Sequence, residues 1–145
     1  MMTITKIFRF EMAHAIHGYN GKCSNIHGHS YELHVTVQTC KKHPYFIPAT
    51  GFIIDFKDLK EIVQKEVISK MDHMLYLSKE GMQEFNLCGQ HGNLVITDWE
   101  PSAENILHFI QLKIQNALPC GVCLNALKLY ETEDSYAEWR TSEVH

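Results

Sequence analysis

The stretch His27-Gly28-His29-Ser30-Tyr31-Glu32-Leu33-His34-Val35-Thr36-Val37 decides how the chain reads. Tyr31, Leu33, Val35 and Val37 alternate with Glu32, His34 and Thr36, a period of two that predicts a half-buried strand with successive side chains on opposite faces. His27 and His29 share the parity of the apolar set. Upstream, between Ile4 and His14, Phe8, Phe10 and Met12 alternate with Ile7, Arg9 and Glu11, and His14 ends that strand on its apolar parity. A Gly- and Asn-containing loop, Ala15 to Asn25, joins the two strands. A hairpin would therefore set His14 opposite the His27/His29 pair, with Gly28 expected to let a metal approach the backbone between them.

Downstream, Gly51 to Ile54 reads as a short extended entry to a helix. Asp55 is its cap, with Asp58 three residues on as an acidic variant of the capping box. Phe56, Leu59, Ile62, Val63 and Val67 form its apolar stripe, and Lys70 to Leu77 leaves that pattern. Ser78 to Asp98 has no clear period, carries Gly81, Gly89 and Gly92, and reads as a long insertion loop with a short strand around Leu94 to Thr97. Pro101-Ser102-Ala103-Glu104 opens a second helix with Ile106, Ile110, Ile114 and Ala117 on its buried stripe, stopped by Pro119. Leu127 and Leu129 mark a third long strand with Glu131 on their face, and after a polar turn Tyr136 to Arg140 forms the last. The order β-β-α-α-β-β predicts an α+β domain over residues 1–145, an antiparallel sheet with two helices on one face.

The composition bounds the function. The chain has 145 residues with 45% hydrophobic and 21% charged side chains, the balance of a globular protein. No apolar stretch approaches the roughly 18 residues of a membrane span, and the N-terminal residues lack a signal-peptide apolar run, so a cytoplasmic location is expected. Thirteen Lys and Arg against 17 Asp and Glu give a net charge of −4 without a basic stripe, which disfavours nucleic acid as a partner. Five cysteines, at 23, 40, 88, 120 and 123, read as reduced thiols and not as a disulfide framework.

The chemistry concentrates in a few positions. Three neutral imidazoles with an open fourth position are the pattern of a catalytic zinc site, although an H-x-H pair alone also arises as unrelated polar residues near a strand end. Cys23, four residues before His27, stands either beside the metal or as the fourth ligand of a closed structural site. Asp72-His73 suits a carboxylate-oriented imidazole for proton transfer, or a solvated helix end. Glu131 is costly to bury on a leucine face unless it accepts hydrogen bonds, from a guanidine-like ligand edge or from an Arg or backbone amides. Cys120-Gly121-Val122-Cys123 is a single C-x-x-C that reads as two loop thiols. Cys88 and His91 could join them on a metal, but nothing in the sequence demands it. His17, His34, His43, His108 and His145 read as surface or packing residues.

Taken together, His14, Cys23-Ser24-Asn25-Ile26-His27-Gly28-His29, Gly51-Phe52-Ile53-Ile54-Asp55-Phe56, Asp72-His73, Pro101-Ser102-Ala103-Glu104-Asn105 and Glu131-Thr132 resemble the 6-pyruvoyl-tetrahydropterin synthase family over nearly the whole chain. The C-x-x-x-H-G-H spacing is similar to its bacterial branch, which forms 6-carboxy-5,6,7,8-tetrahydropterin for queuosine biosynthesis. The long segment Ser78 to Asp98 departs from the compact bacterial pattern.

The resemblance implies a tunnelling fold (T-fold), with subunits ringed into trimers, commonly doubled to hexamers, and active sites between subunits. It implies Zn2+ on His14, His27 and His29, a thiol base at Cys23, relay partners at Asp72 and His73, a pterin-anchoring carboxylate at Glu131, and a further pterin contact at Thr132. The implied reaction takes 7,8-dihydroneopterin triphosphate to 6-carboxytetrahydropterin, acetaldehyde and triphosphate. Two other functions fit the same residues: the pyruvoyl-forming lyase of the family, which retains the side chain, and a non-catalytic zinc-binding module closed by Cys23.

Overall fold

A computed structural model describes residues 2–43, 45–87 and 92–142. Strands β1 (Thr3–His14) and β2 (His27–Thr39) pair antiparallel with His14 opposite His27 and Met12 opposite His29. Strand β5 (Val122–Thr132) pairs antiparallel with β2, and β6 (Ser135–Arg140) with β5. Both pairings follow from the expected alternation. Phe8, Phe10 and Met12 of β1, Tyr31, Leu33, Val35 and Val37 of β2, and Leu127 and Leu129 of β5 are all buried on one face. Each such side chain contributes roughly 1.5–3 kcal/mol of burial free energy. The opposite face is polar, where Arg9 Nη2 meets Glu32 Oε2 at 2.7 Å and the Thr5 and Thr36 hydroxyls bond at 2.8 Å.

Two helices cover the apolar face. The first, α1 (Phe56–Val63), is capped by the Asp55 side chain, which accepts from the Lys57 N–H at 2.8 Å. It continues through a π-helical stretch, Gln64–Ile68, and a last turn, Ser69–Met71. The widened turns let Val67, Ile68 and Met71 follow Leu59 and Val63 into the core. Phe56, expected on the stripe, stays half exposed because it heads the helix at the edge of the core. The other long helix, α3 (Ala103–Ala117), is capped by the Ser102 side chain and buries Ile106, Leu107, Ile110 and Ile114.

The chain between these helices is more ordered than a long loop. Strand β3 (Met74–Ser78), helix α2 (Lys79–Glu84) and strand β4 (Leu94–Thr97) occupy it. Both strands run parallel to their neighbours, giving the sheet order β4-β3-β1-β2-β5-β6, so the expected antiparallel sheet gains a mixed edge. Strand β3 escapes a search for alternation because Met74-Leu75-Tyr76-Leu77 is one continuous apolar run, the usual form of a strand covered on both faces.

The cysteines depart from expectation. Cys40 and Cys123 form a disulfide, with their Cα atoms 5.2 Å apart, while Cys23 and Cys120 are free and exposed. Cys40 directly follows β2 and Cys123 lies near the start of β5. Strand register therefore joins residues 83 apart in sequence, a proximity that spacing along the chain does not show. Cys88 and His91, the possible metal partners of the C-x-x-C, lie outside the described residues, as does His145.

Candidate metal centre and active site

His14, His27 and His29 come together where β1 ends and β2 begins, with one ligand atom from each lying within 4.8 Å of the others. The backbone fixes how two of the rings are presented. His14 Nδ1 lies 2.6 Å from the Pro101 carbonyl and His27 Nδ1 lies 2.7 Å from the Asn25 carbonyl. A carbonyl only accepts, so each Nδ1 carries the proton and each Nε2 presents a lone pair. The two Nε2 atoms are 3.1 Å apart, and His29 Nε2 is buried with no hydrogen-bond partner. Converging lone pairs and an orphaned buried nitrogen are what an ion would satisfy, so the residues fit a metal.

Burial holds the His14 imidazole below its ordinary titration range, against the raising effect of the Pro101 carbonyl. Burial also lowers His29, opposed by the Glu131 carboxylate. Neutral imidazoles are the metal-binding form.

Gly28 does something other than open the way for a metal. It projects to the face away from the imidazoles, where an added Cβ would sit 3.3 Å from the Met12 carbonyl. The glycine admits the close approach of β1.

Glu131 stands beside the cradle, with Oε1 3.8 Å from His14 Nε2 and 3.9 Å from His29 Nε2. The Tyr31 hydroxyl lies 3.5 Å from both Glu131 Oε1 and His14 Nε2. Burial and then the neighbouring carboxylate push the Tyr31 phenol far above its usual range, so it remains a proton donor. No Arg and no backbone amide satisfies this carboxylate among the described hydrogen bonds and ion pairs. Glu131 lines two cavities of about 550 Å³ each. One is lined by His14, Ser102, His108, Glu131 and Trp139, the other by Ser30, His34, Tyr130, Glu131 and Thr132. The Thr132 hydroxyl donates to Asp134 Oδ1 at 2.8 Å within the β5–β6 turn.

The remaining expected residues lie elsewhere in the chain. Cys23 sits exposed in a 3-10 turn (Lys22–Ser24) and is outside the metal-capable group. Its carbonyl accepts from the Ile16 N–H at 2.8 Å, folding the loop back on the end of β1. Asp72 and His73 follow the first helix. Asp72 Oδ1 accepts from the Glu11 N–H at 2.9 Å and lies 3.0 Å from His73 Nδ1, while the His73 N–H donates to the Glu11 carbonyl. These contacts hold His73 in the left-handed region at φ 61°, an uncommon conformation for a non-glycine residue. The Glu11 amide first, and then His73, keep the Asp72 carboxyl below its ordinary range. His73 is 78% exposed and lines a cavity of about 340 Å³ that His29 and Gly28 also border.

Two participants were not singled out from the sequence. Tyr31 was legible, since it lies two residues beyond His29 on the same parity. The Pro101 carbonyl was not, because nothing local marks a group 87 residues from His14 as its partner.

A curled α+β sheet with a metal-capable histidine cradle at one end defines a tunnelling-fold protein. The structure aligns with 6-pyruvoyl tetrahydropterin synthase of Caenorhabditis elegans at a TM-score of 0.70, covering 97% of this chain and 96% of that one at 19% identity. The 6-pyruvoyl tetrahydropterin synthase family profile matches residues 3–142, and the chain belongs to that family. It is 29% identical over 150 residues to the 6-carboxy-5,6,7,8-tetrahydropterin synthase of Haemophilus influenzae, covering 97% of this chain and 99% of the relative. Its identity to the enzyme of that name from Rickettsia felis is 31% over 144 residues, covering 95% of this chain and 99% of the relative.

Proposed function

We infer that the chain is a zinc-dependent lyase converting 7,8-dihydroneopterin triphosphate and one water to 6-carboxy-5,6,7,8-tetrahydropterin, acetaldehyde and triphosphate, in the cytoplasm and in queuosine biosynthesis. The observation that carries the reading is the convergence of three imidazole nitrogens beside the Glu131 carboxylate. The 6-carboxy-5,6,7,8-tetrahydropterin synthases similar to the chain over 95% or more of its length favour the carboxy product.

His14, His27 and His29 would hold Zn2+, whose Lewis acidity stabilises negative charge developing on substrate oxygen. Glu131 accepts the paired N–H groups of the pterin ring and so fixes the side chain against the cradle. Cys23 as thiolate removes a proton from that side chain, and His73, oriented by Asp72, supplies or accepts the second proton. Cys23 and His73 are both exposed, which suits a site completed when copies of the chain associate. The edge strands β4 and β6 would pair with neighbouring copies in a trimer or hexamer, covering their free backbone groups.

The test is incubation of zinc-loaded protein with 7,8-dihydroneopterin triphosphate and identification of products by mass. Acetaldehyde with the 6-carboxy pterin is expected. A pterin retaining its three-carbon side chain, without acetaldehyde, would instead establish the pyruvoyl-forming reaction. Full metal occupancy with no turnover would leave the non-catalytic zinc module.

A further inference from the structure

The cysteine cluster lies at the opposite end of β2 from the histidines, about 40 Å away at roughly 3.3 Å per residue. Register sets Gln38 against Cys123 and Thr39 against Val122, and the Cys40 N–H donates to the Gly121 carbonyl at 3.0 Å. Cys40 and Cys123 are thereby neighbours. Cys120 is free and exposed in the adjoining turn, which the Val122 N–H closes on the Pro119 carbonyl at 3.1 Å. Gly121, at φ 91°, supplies the left-handed residue this turn needs. On the other strand, the Thr39 hydroxyl donates to the Lys41 carbonyl at 2.8 Å, bending the chain just before His43. His43 is exposed three residues beyond Cys40.

The two strand ends thus bring Cys40 to the C-x-x-C pair, and His43 follows Cys40 along the chain in a C-x-x-H. We propose that in the reduced protein Cys40, His43, Cys120 and Cys123 bind a second zinc ion, a structural site with three thiolates and one imidazole. Four soft or borderline donors from two chain-local pairs suit a closed tetrahedral Zn2+ site, distinct from the open three-histidine cradle. Its three thiolates leave the complex with one excess negative charge, which Lys41 and Lys42 beside Cys40 partly offset.

The disulfide is the oxidised alternative of the same site. A dithiol reductant gives two electrons to the Cys40–Cys123 bond and becomes a disulfide itself, leaving two protein thiols. Zinc then displaces one proton from each of Cys40, Cys120 and Cys123. The site therefore exists only in the reduced chain.

Cobalt(II) separates the two metal centres, because thiolate ligands give an intense sulfur-to-cobalt charge-transfer band that imidazoles do not. In protein treated with a dithiol and exchanged into Co2+, a thiolate band is expected with two metal ions per chain. Oxidised protein should take one and lack the band. C120S and H43A should each lose or weaken the band while keeping the histidine-bound ion, whereas C23A should retain it, which excludes Cys23 as the source. C120S can still form the disulfide, so its fold is checked independently by circular dichroism. A reduced wild type without the band, or a band that survives C120S unchanged or disappears in C23A, would overturn the second site. Failure of the histidine cradle would remove the other ion and leave this band in place.

Discussion

His14, His27 and His29 converge within one chain, with two of the rings tied to carbonyls, whereas Cys23 and His73 stand exposed and outside that group. The difference follows from what each chemistry demands. A metal needs several donors preorganised at once, and adjacent strands provide them through parity and register. The proposed proton transfer needs a group that meets substrate from another side, and the 3-10 turn and the helix end hold the two proposed groups outward. The metal cradle is therefore a property of the subunit. On the proposed reading, the acid–base pair belongs to whatever completes the site.

The largest effect expected on that contrast comes from the cradle itself. His27→Ala with His29→Ala should abolish bound zinc at this end of the sheet and lower turnover by about 10³-fold or more, in keeping with several kcal/mol of lost charge stabilisation. Elemental analysis on reduced and oxidised samples distinguishes this ion from one held by cysteines. If the double variant retained metal at the cradle, the assignment would fail.

Next come the two exposed groups. Cys23→Ala and His73→Ala should each keep the cradle metal and lose about 10²- to 10⁴-fold in turnover. If they meet across a subunit boundary, mixing the two inactive variants and allowing subunits to exchange restores sites that carry both wild-type residues. Activity that stays at the level of the separate variants, with exchange verified by mass, would place both groups within one subunit.

Glu131 tests the border between the two regions, since it touches the cradle but is assigned to substrate. Glu131→Gln should bind a non-reactive pterin about 10- to 100-fold more weakly, the size of a lost charge-assisted hydrogen-bond pair, while zinc content is unchanged. Calorimetric titration reads both. Unchanged pterin affinity would mean that the carboxylate serves the histidines instead.

Much of this arrangement was legible because strand chemistry is periodic. Parity alone placed His14, His27, His29 and Glu131 on the apolar face, and the Asp55 cap and the Pro101-Ser102-Ala103-Glu104 opening announced both long helices. What escaped was non-periodic or remote. β3 presents a continuous apolar run, the π-helical turns carry Ile68 and Met71 into the core beyond the expected stripe, and the Cys40–Cys123 contact depends on a register between strands far apart in sequence. Gly28 was read correctly as a close-approach residue but for the wrong neighbour, because the face opposite its flanking histidines belongs to the β1 backbone.

The smallest effect concerns how Asp72 positions His73. Its carboxylate accepts the Glu11 N–H and pairs with the His73 ring, and these contacts hold its folded-state ionisation below that of the unfolded chain. A depressed carboxyl favours folding while it is ionised, so this contribution is complete above the ordinary Asp range near 3.9 and is lost as pH falls through the lower folded value. Asp72→Asn removes the charge but leaves an oxygen for the Glu11 amide. The fold and the left-handed His73 should therefore survive, with a stability change below about 1 kcal/mol because the pair faces water. What should change is the placement of the imidazole, which loses the carboxylate that Nδ1 faces at 3.0 Å. Turnover at neutral pH is expected to fall without loss of metal. Wild-type turnover in Asp72→Asn would show that the carboxylate only secures the end of the first helix to β1.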